Sequence, residues 1–495
     1  GGLPGGEKFR RRVCCFRSRP VQAQLISRQQ MTMMGEEGSR GAPIMMQSEA
    51  VRLVEDLKPI KLEEVGTKQW TKYHQTLERL NMQAQLSVMH QSDEFVVEAL
   101  IDHEKIDVLI HDLIVTEAWK ANIMPKVVEE LASTHYVKLY LIAYHESIVV
   151  SLLEKAFYTP TAVAAGGELL VELADYCYRK TVKLVSDADR EEGDLPPPKT
   201  AQEEAAMSEM ERLEDQERQI SFGSACSAVT LVRFLSDNAK LLPLGVLTRM
   251  LSDHDILQTL VPLLDRPPWR RVKGGGAQVF SDGRWADQPA EEARRLTKMD
   301  AQVWLALNNL LLAPECRAKY EWNEHRKGGV MRLSKHFNEI LVDQLPVLSD
   351  LRRFVESLAL HAPPAPTEGR GLVIEQLPEL WTGLMKSDWN KEAKAFTERI
   401  KGTTAEDEME EMRGLASMYD AIDLEQFMED PKCVVCGKPA EKRCSRCKLD
   451  WYCGRKCQVK AWKKHQPLCD ALCDSLKKQE EMGVAPGQAG KGPVG

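Results

Sequence analysis

The chain has 495 residues, 43% of them apolar and 28% charged, which is the balance of an ordinary soluble globular protein and leaves room for a large core. No run of eighteen or more uncharged apolar residues occurs, which argues against a transmembrane helix. The net charge of −8 argues against a protein that binds nucleic acid with its whole surface.

Residues 1–35 hold seven Lys or Arg against one Glu. That composition overlaps with organelle transit peptides, but the preferred reading is a disordered or misassigned leader over 1–45. From 46 to 186 the apolar spacing is helical. "QWTKYHQTLERLNMQAQLSVMH" places Trp70, Tyr73, Leu77 and Leu80 at three- and four-residue steps. "KIDVLIHDLIVTEAWKANI" repeats that pattern, and "YVKLYLIAYHESIVVSLLEKAFY" is apolar nearly all round, as in a helix buried between neighbours. A charged stretch over 187–218, with Pro196–Pro198 inside it, reads as a linker followed by a solvated helix.

A second helical region is expected over 219–428, interrupted by an insertion at 266–292. The glycines at 274–276 lack the Gly-Lys-Ser/Thr that would cradle phosphate, so an ordered surface insertion, such as a small hairpin, is expected there. No alternating strand pattern of useful length is present. "DILQTLVPLLDRPP" and "QVWLALNNLLLAPECRAKY" look like two helices of one armadillo repeat on either side of the insertion. The expected fold is all-α, a helical-repeat-like (armadillo/HEAT-like) stack. A small finger at 429–475 and a disordered tail at 476–495 complete it.

Seven of the thirteen cysteines and one histidine fall between Cys433 and Cys469, spaced C-x2-C-x7-C-x2-C-x5-C-x3-C-x7-H-x3-C. Eight ligands make two tetrahedral Zn²⁺ sites. They form four chelate pairs, Cys433/Cys436, Cys444/Cys447, Cys453/Cys457 and His465/Cys469, each presented by about one turn of backbone. A segment of about forty residues with so few apolar side chains needs metal to fold, and zinc supplies about 10–16 kcal/mol in such peptides. With every ligand position filled by protein, no position remains for substrate, so both zincs are expected to be structural. The other six cysteines are scattered, unlike a secreted disulfide framework.

The segment from Lys432 to Cys469 carries eleven Lys or Arg against Glu441 and Asp450, a balance of +9 that leaves −17 elsewhere. Seven thiolates on two Zn²⁺ reduce it to about +6. That suits an acidic protein partner, or the chain's own "AEDEMEEM" at 405–412, better than nucleic acid. No H-E-x-x-H, G-x-S-x-G or Walker-type loop exists. The neighbouring pairs His111–Asp112 and His145–Glu146 do not face each other on a helix, and they read as surface or packing residues. No catalytic residue is expected.

The cysteine spacing, with "WYCGRKCQ" and W-x2-H, resembles the MYND-type zinc finger. That resemblance implies one zinc on Cys433, Cys436, Cys453 and Cys457, and the other on Cys444, Cys447, His465 and Cys469; Cys473 could compete as the last ligand. It also implies a protein-binding module with a shallow groove for proline-containing peptides at Ser445, Gln458 and Trp462, although Trp462 could equally fill the small core. Some members of the wider group are SET-domain methyltransferases, but no SET-like Asn-His-Ser-Cys element is seen here.

Beyond the finger, "LERLNMQAQL", "ADYCYRK", "LVDQLP" and "LVIEQLPELW" make residues 46–475 resemble a family of assembly factors for axonemal dyneins. The resemblance implies a non-enzymatic cytoplasmic adaptor, including sites at centriolar satellites or the ciliary base. Its partners would be axonemal dynein chains, a leucine-rich-repeat assembly factor and chaperones and co-chaperones of the Hsp90 system. The alternative is a transcriptional co-repressor scaffold that holds proline-containing motifs on the finger.

Overall fold

The computed structural model describes residues 43–188, 207–361 (apart from 274–275, 282, 290–291 and 293), 363 and 377–420. In the finger it describes 433, 435–436, 440, 442–446, 451–462, 465–466 and 469. The expected leader up to residue 42, the Pro196–Pro198 run and the tail after 475 lie outside the described residues. Residues 43–420 cluster as one unit, and those from 421 onward belong to a second.

The apolar periodicity of the first unit becomes ten helices of ten residues or more among the described residues. They are α1 Lys68–His90, α2 Ile106–Asn122, α3 Tyr136–Ala156, α4 Leu170–Ala188, α5 Glu209–Asp237, α6 Ile256–Asp265, α7 Lys298–Leu312, α8 Leu348–Leu360, α9 Trp389–Lys401 and α10 Ala405–Asp420. Shorter helices join them. Side-chain caps start several: the Thr67 hydroxyl accepts the Trp70 N–H at α1, and Ser208/Glu211 and Thr297/Asp300 form capping boxes at α5 and α7.

The protein is all-α, a helical-repeat-like stack in which neighbouring helices share apolar faces. α3 packs against α1, α2 and α5, and α5 in turn against α4 and α7. By length and composition α3 could cross a membrane, yet most of it is buried inside this unit, so it is the core helix its all-round apolar sequence predicts. The expected solvated helix at 209–218 is the first part of the 29-residue α5, which already buries Leu213 and Gln216. Running between the two expected helical regions, α5 gives them one shared core.

The two helices read as parts of one armadillo repeat, α6 and α7, do pack together. The insertion between them corrects the expectation that strands of useful length are absent. It holds a three-stranded antiparallel sheet, β1 Arg270–Lys273, β2 Gly276–Ser281 and β3 Arg284–Asp287, in that order. Gly283, at φ +75°, lies in the two-residue turn between the paired Ser281 and Arg284. Phe280 and Trp285 pack on Phe222 of α5, and buried Trp269 donates to Asp300 of α7 at 2.8 Å, which fixes the sheet to the helices.

Two polar chains cross the core. His145 of α3 pairs through Nε2 with Asp112 Oδ2 of α2 at 2.9 Å, and its Nδ1 lies 2.9 Å from Nδ1 of His74 on α1. All three residues are fully buried. At the next position of α3, on another side of the helix, the buried Glu146 carboxylate meets Lys120 Nζ at 2.6 Å, Lys180 Nζ at 2.5 Å and the Tyr176 hydroxyl at 2.9 Å. His145 and Glu146 thus serve different partners, as expected of neighbours on a helix.

Candidate metal centre and docking finger

The finger's short strands β4 Lys442–Arg443 and β5 Trp451–Tyr452 pair antiparallel, Lys442 with Tyr452 and Arg443 with Trp451. This pairing sets Cys444 just after one strand and Cys453 just after the other. A helix over 455–462 follows and carries Cys457, Gln458 and Trp462. The core is minimal: Cys433, Ala440, Cys444, Tyr452 and Cys469 are buried, with Val435, Trp451 and Ala461 packed against them. Tyr452 is the one large apolar side chain in this buried set, so metal must supply the cohesion.

The sulfurs of Cys433, Cys436, Cys453 and Cys457 converge, all within 4.8 Å of one another. Cys436 lies 3.5 Å from Cys453 and 3.8 Å from Cys457, and Cys453 lies 3.6 Å from Cys457. Disulfide sulfurs sit at about 2.05 Å, whereas the edge of a tetrahedron with about 2.3 Å zinc–sulfur arms is about 3.8 Å. These separations therefore fit four thiolates around one ion. A second convergence joins Cys444, His465 and Cys469, with Cys444 and Cys469 sulfurs 3.9 Å apart and His465 Nε2 3.2 Å from Cys444 Sγ. Cys447, expected as its fourth ligand, lies outside the described residues, as does Cys473. The donor sets fit Zn²⁺, which takes thiolate and imidazole in closed tetrahedral sites. The ion would supply folding energy at both places.

The two ligand groups alternate along the chain: 433 and 436, then 444, then 453 and 457, then 465 and 469. The expected groove residues are placed as follows. Ser445 is exposed beside Cys444, while Gln458 and Trp462, one turn apart on one helix face, are half-buried. The Trp462 ring lies 5.9 Å from the His465 ring, and the Arg446 guanidinium lies 6.0 Å from its centroid. Trp462 thus touches the metal centre on one side and keeps an accessible surface on the other. Val459, 67% exposed on the same helix, adds apolar surface beside it.

The family model described as the MYND finger matches residues 433–469. This segment is a MYND finger. Over most of its length the chain is similar to the Zinc finger MYND domain-containing protein 10 homolog of Drosophila melanogaster, 29% identical over 446 residues, covering 84% of this chain and 96% of that protein. Histone-lysine N-methyltransferase ASHR1 of Arabidopsis thaliana is 44% identical over 45 residues, 9% of each chain. The shared part there is of MYND-finger size, so that protein's named activity does not extend to the helical unit. No solved structure matches this chain.

Proposed function

We propose that this protein is a non-enzymatic adaptor for cytoplasmic preassembly of axonemal dynein arms, docking partners through the MYND finger and the helical surface. The observation that carries this reading is the similarity that runs through both units, over 84% of this chain and 96% of the fly protein. A match confined to the finger would name only a module. The pattern shared by residues 46–475 with the dynein-assembly family supplies the client class: axonemal dynein chains, a leucine-rich-repeat assembly factor, and chaperones of the Hsp90 system. The four-sulfur set of Cys433, Cys436, Cys453 and Cys457 favours docking over chemistry, since zinc bound only by protein leaves no position for substrate.

The test is affinity purification from multiciliated cells with the intact chain and Cys444→Ala side by side. Recovery of axonemal dynein chains with chaperones by the intact protein is expected, with partner recovery reduced for the variant. Normal dynein arms in cells lacking the protein would refute the assembly role.

A further inference from the structure

The last helix before the finger, α10, is acidic on the side it turns to the stack. Asp407, Glu410, Glu411, Gly414 and Leu415 follow three- and four-residue steps and share one face. That face lies on α1 and the start of α3. Lys68 Nζ meets Asp407 Oδ1 at 3.3 Å and Glu410 Oε2 at 2.6 Å, and Lys138 pairs with Glu411 while also contacting Thr71 Oγ1 at 3.0 Å. Gly414 brings the backbone close to Gln75, whose Nε2 lies 3.5 Å from where a Cβ would stand. Asp407, Glu410 and Glu411, part of the acidic stretch 405–412 that composition offered as an internal partner for the basic finger, are thus engaged on the helical unit.

The hold is mostly electrostatic and mostly wet. Lys68, Asp407 and Glu410 are 43%, 44% and 65% exposed, whereas only the Lys138–Glu411 pair is sheltered. Exposed pairs contribute little and are screened by salt. Among the described side chains of α10, Leu415 alone is buried. The preceding α9 differs: it buries Ala393, Phe396 and Ile400 and sets Phe396 against Trp119. α9 is therefore a fixed part of the stack, and α10 is a weakly tethered cover.

We propose that the face of α1 and α3 bearing Lys68, Thr71 and Lys138 is a docking site for an acidic amphipathic helix of a partner protein, occupied in the free chain by α10. Charge complementarity selects the occupant, because the seated helix offers carboxylates at i, i+3 and i+4 to two lysines and a hydroxyl. A tethered helix competes at an effective concentration near millimolar, so a partner helix enters only when it outcompetes α10 or when α10 is drawn away. This goes beyond the adaptor reading and holds whichever clients the chain serves.

The test uses the full zinc-loaded chain and, as probe, a fluorescent synthetic peptide of residues 403–420. In the variant Asp407→Asn/Glu410→Gln/Glu411→Gln, hydrogen exchange over 405–420 should rise, and the peptide should bind at least tenfold tighter than to the unmodified chain. Adding Lys68→Glu and Lys138→Glu should abolish that binding, as should about 0.5 M salt. If the Lys138→Glu chain loses its thermal transition, Lys68→Gln with Lys138→Gln serves instead. Unchanged exchange in the triple variant, equal affinity of the two chains, binding that survives loss of both lysines, or equal binding of a scrambled peptide each overturns the proposal.

Discussion

At Glu146 burial raises the carboxyl pKa, but the ammonium groups of Lys120 and Lys180 outweigh it and hold the group far below the usual carboxylate range. Glu146→Gln would leave Lys120 and Lys180 only their longer pairs, with Glu217 at 3.4 Å and Glu117 at 3.6 Å; removing one member of a buried ion set costs about 3–5 kcal/mol, and denaturant unfolding should show a loss of up to that order. Asp175 offers a pH test. It is buried, bonded by Arg249 at 2.7 and 2.9 Å and by His254 at 2.5 Å. Burial pushes its pKa up, yet the Arg249 and His254 bonds bring it down to about 2 from 3.8. A depressed acid stabilises the fold above its unfolded value and loses that contribution as pH falls through the folded one. Stability should therefore drop between about pH 4 and pH 2, and Asp175→Asn should flatten this part of the profile. Neither constellation was legible in the sequence. Each joins helices far apart in the chain, and a lone Glu or Asp in a helix reads as a surface residue until its partners are placed.

Among the elements, the helices were the most legible. The stretch ending in Tyr158, apolar nearly all round, became α3, buried over most of its length from Leu139 onward, because such a helix has little face to give to water. The insertion at 266–292 was legible as an ordered segment with room for a small hairpin, but not its third strand, since the charges Arg270, Arg271, Lys273 and Arg284 interrupt the short alternation. One turn has a sharper requirement. Gly66 enters α1 at φ +80°, and a Cβ there would fall 2.8 Å from Phe396 Cε2 and 3.3 Å from Ile142 Cδ1. The left-handed conformation alone costs a side chain about 1–2 kcal/mol. Gly66→Ala should lower stability by about 2 kcal/mol or more once the contact with Phe396 is added, read as a shift in the denaturant midpoint.

For the whole molecule, the division between a self-sufficient stack and a metal-dependent finger sets what each perturbation does. Cys444→Ala, or exposure to a strong chelator, should unfold the finger while the helical unit keeps its far-ultraviolet circular dichroism and thermal transition. Trp462→Ala should retain both zincs, counted by mass spectrometry under native conditions, and weaken partner capture; undiminished capture would show that the exposed side of Trp462 is not used. The eight-ligand spacing made this centre legible, because chelate pairs are local. The seat of α10 on Lys68 and Lys138 was not, since it joins positions about 270 to 340 residues apart.

The alternation of the two ligand groups has a consequence for how the finger is born. The first ion closes a loop from Cys433 to Cys457, and the second closes one from Cys444 to Cys469, so each loop begins or ends inside the other. Neither can be tied off as the chain emerges until the other is more than half present. The ligands of the first ion are complete at Cys457, before His465 and Cys469 follow, so the second ion closes its loop across one that the first can already have tied.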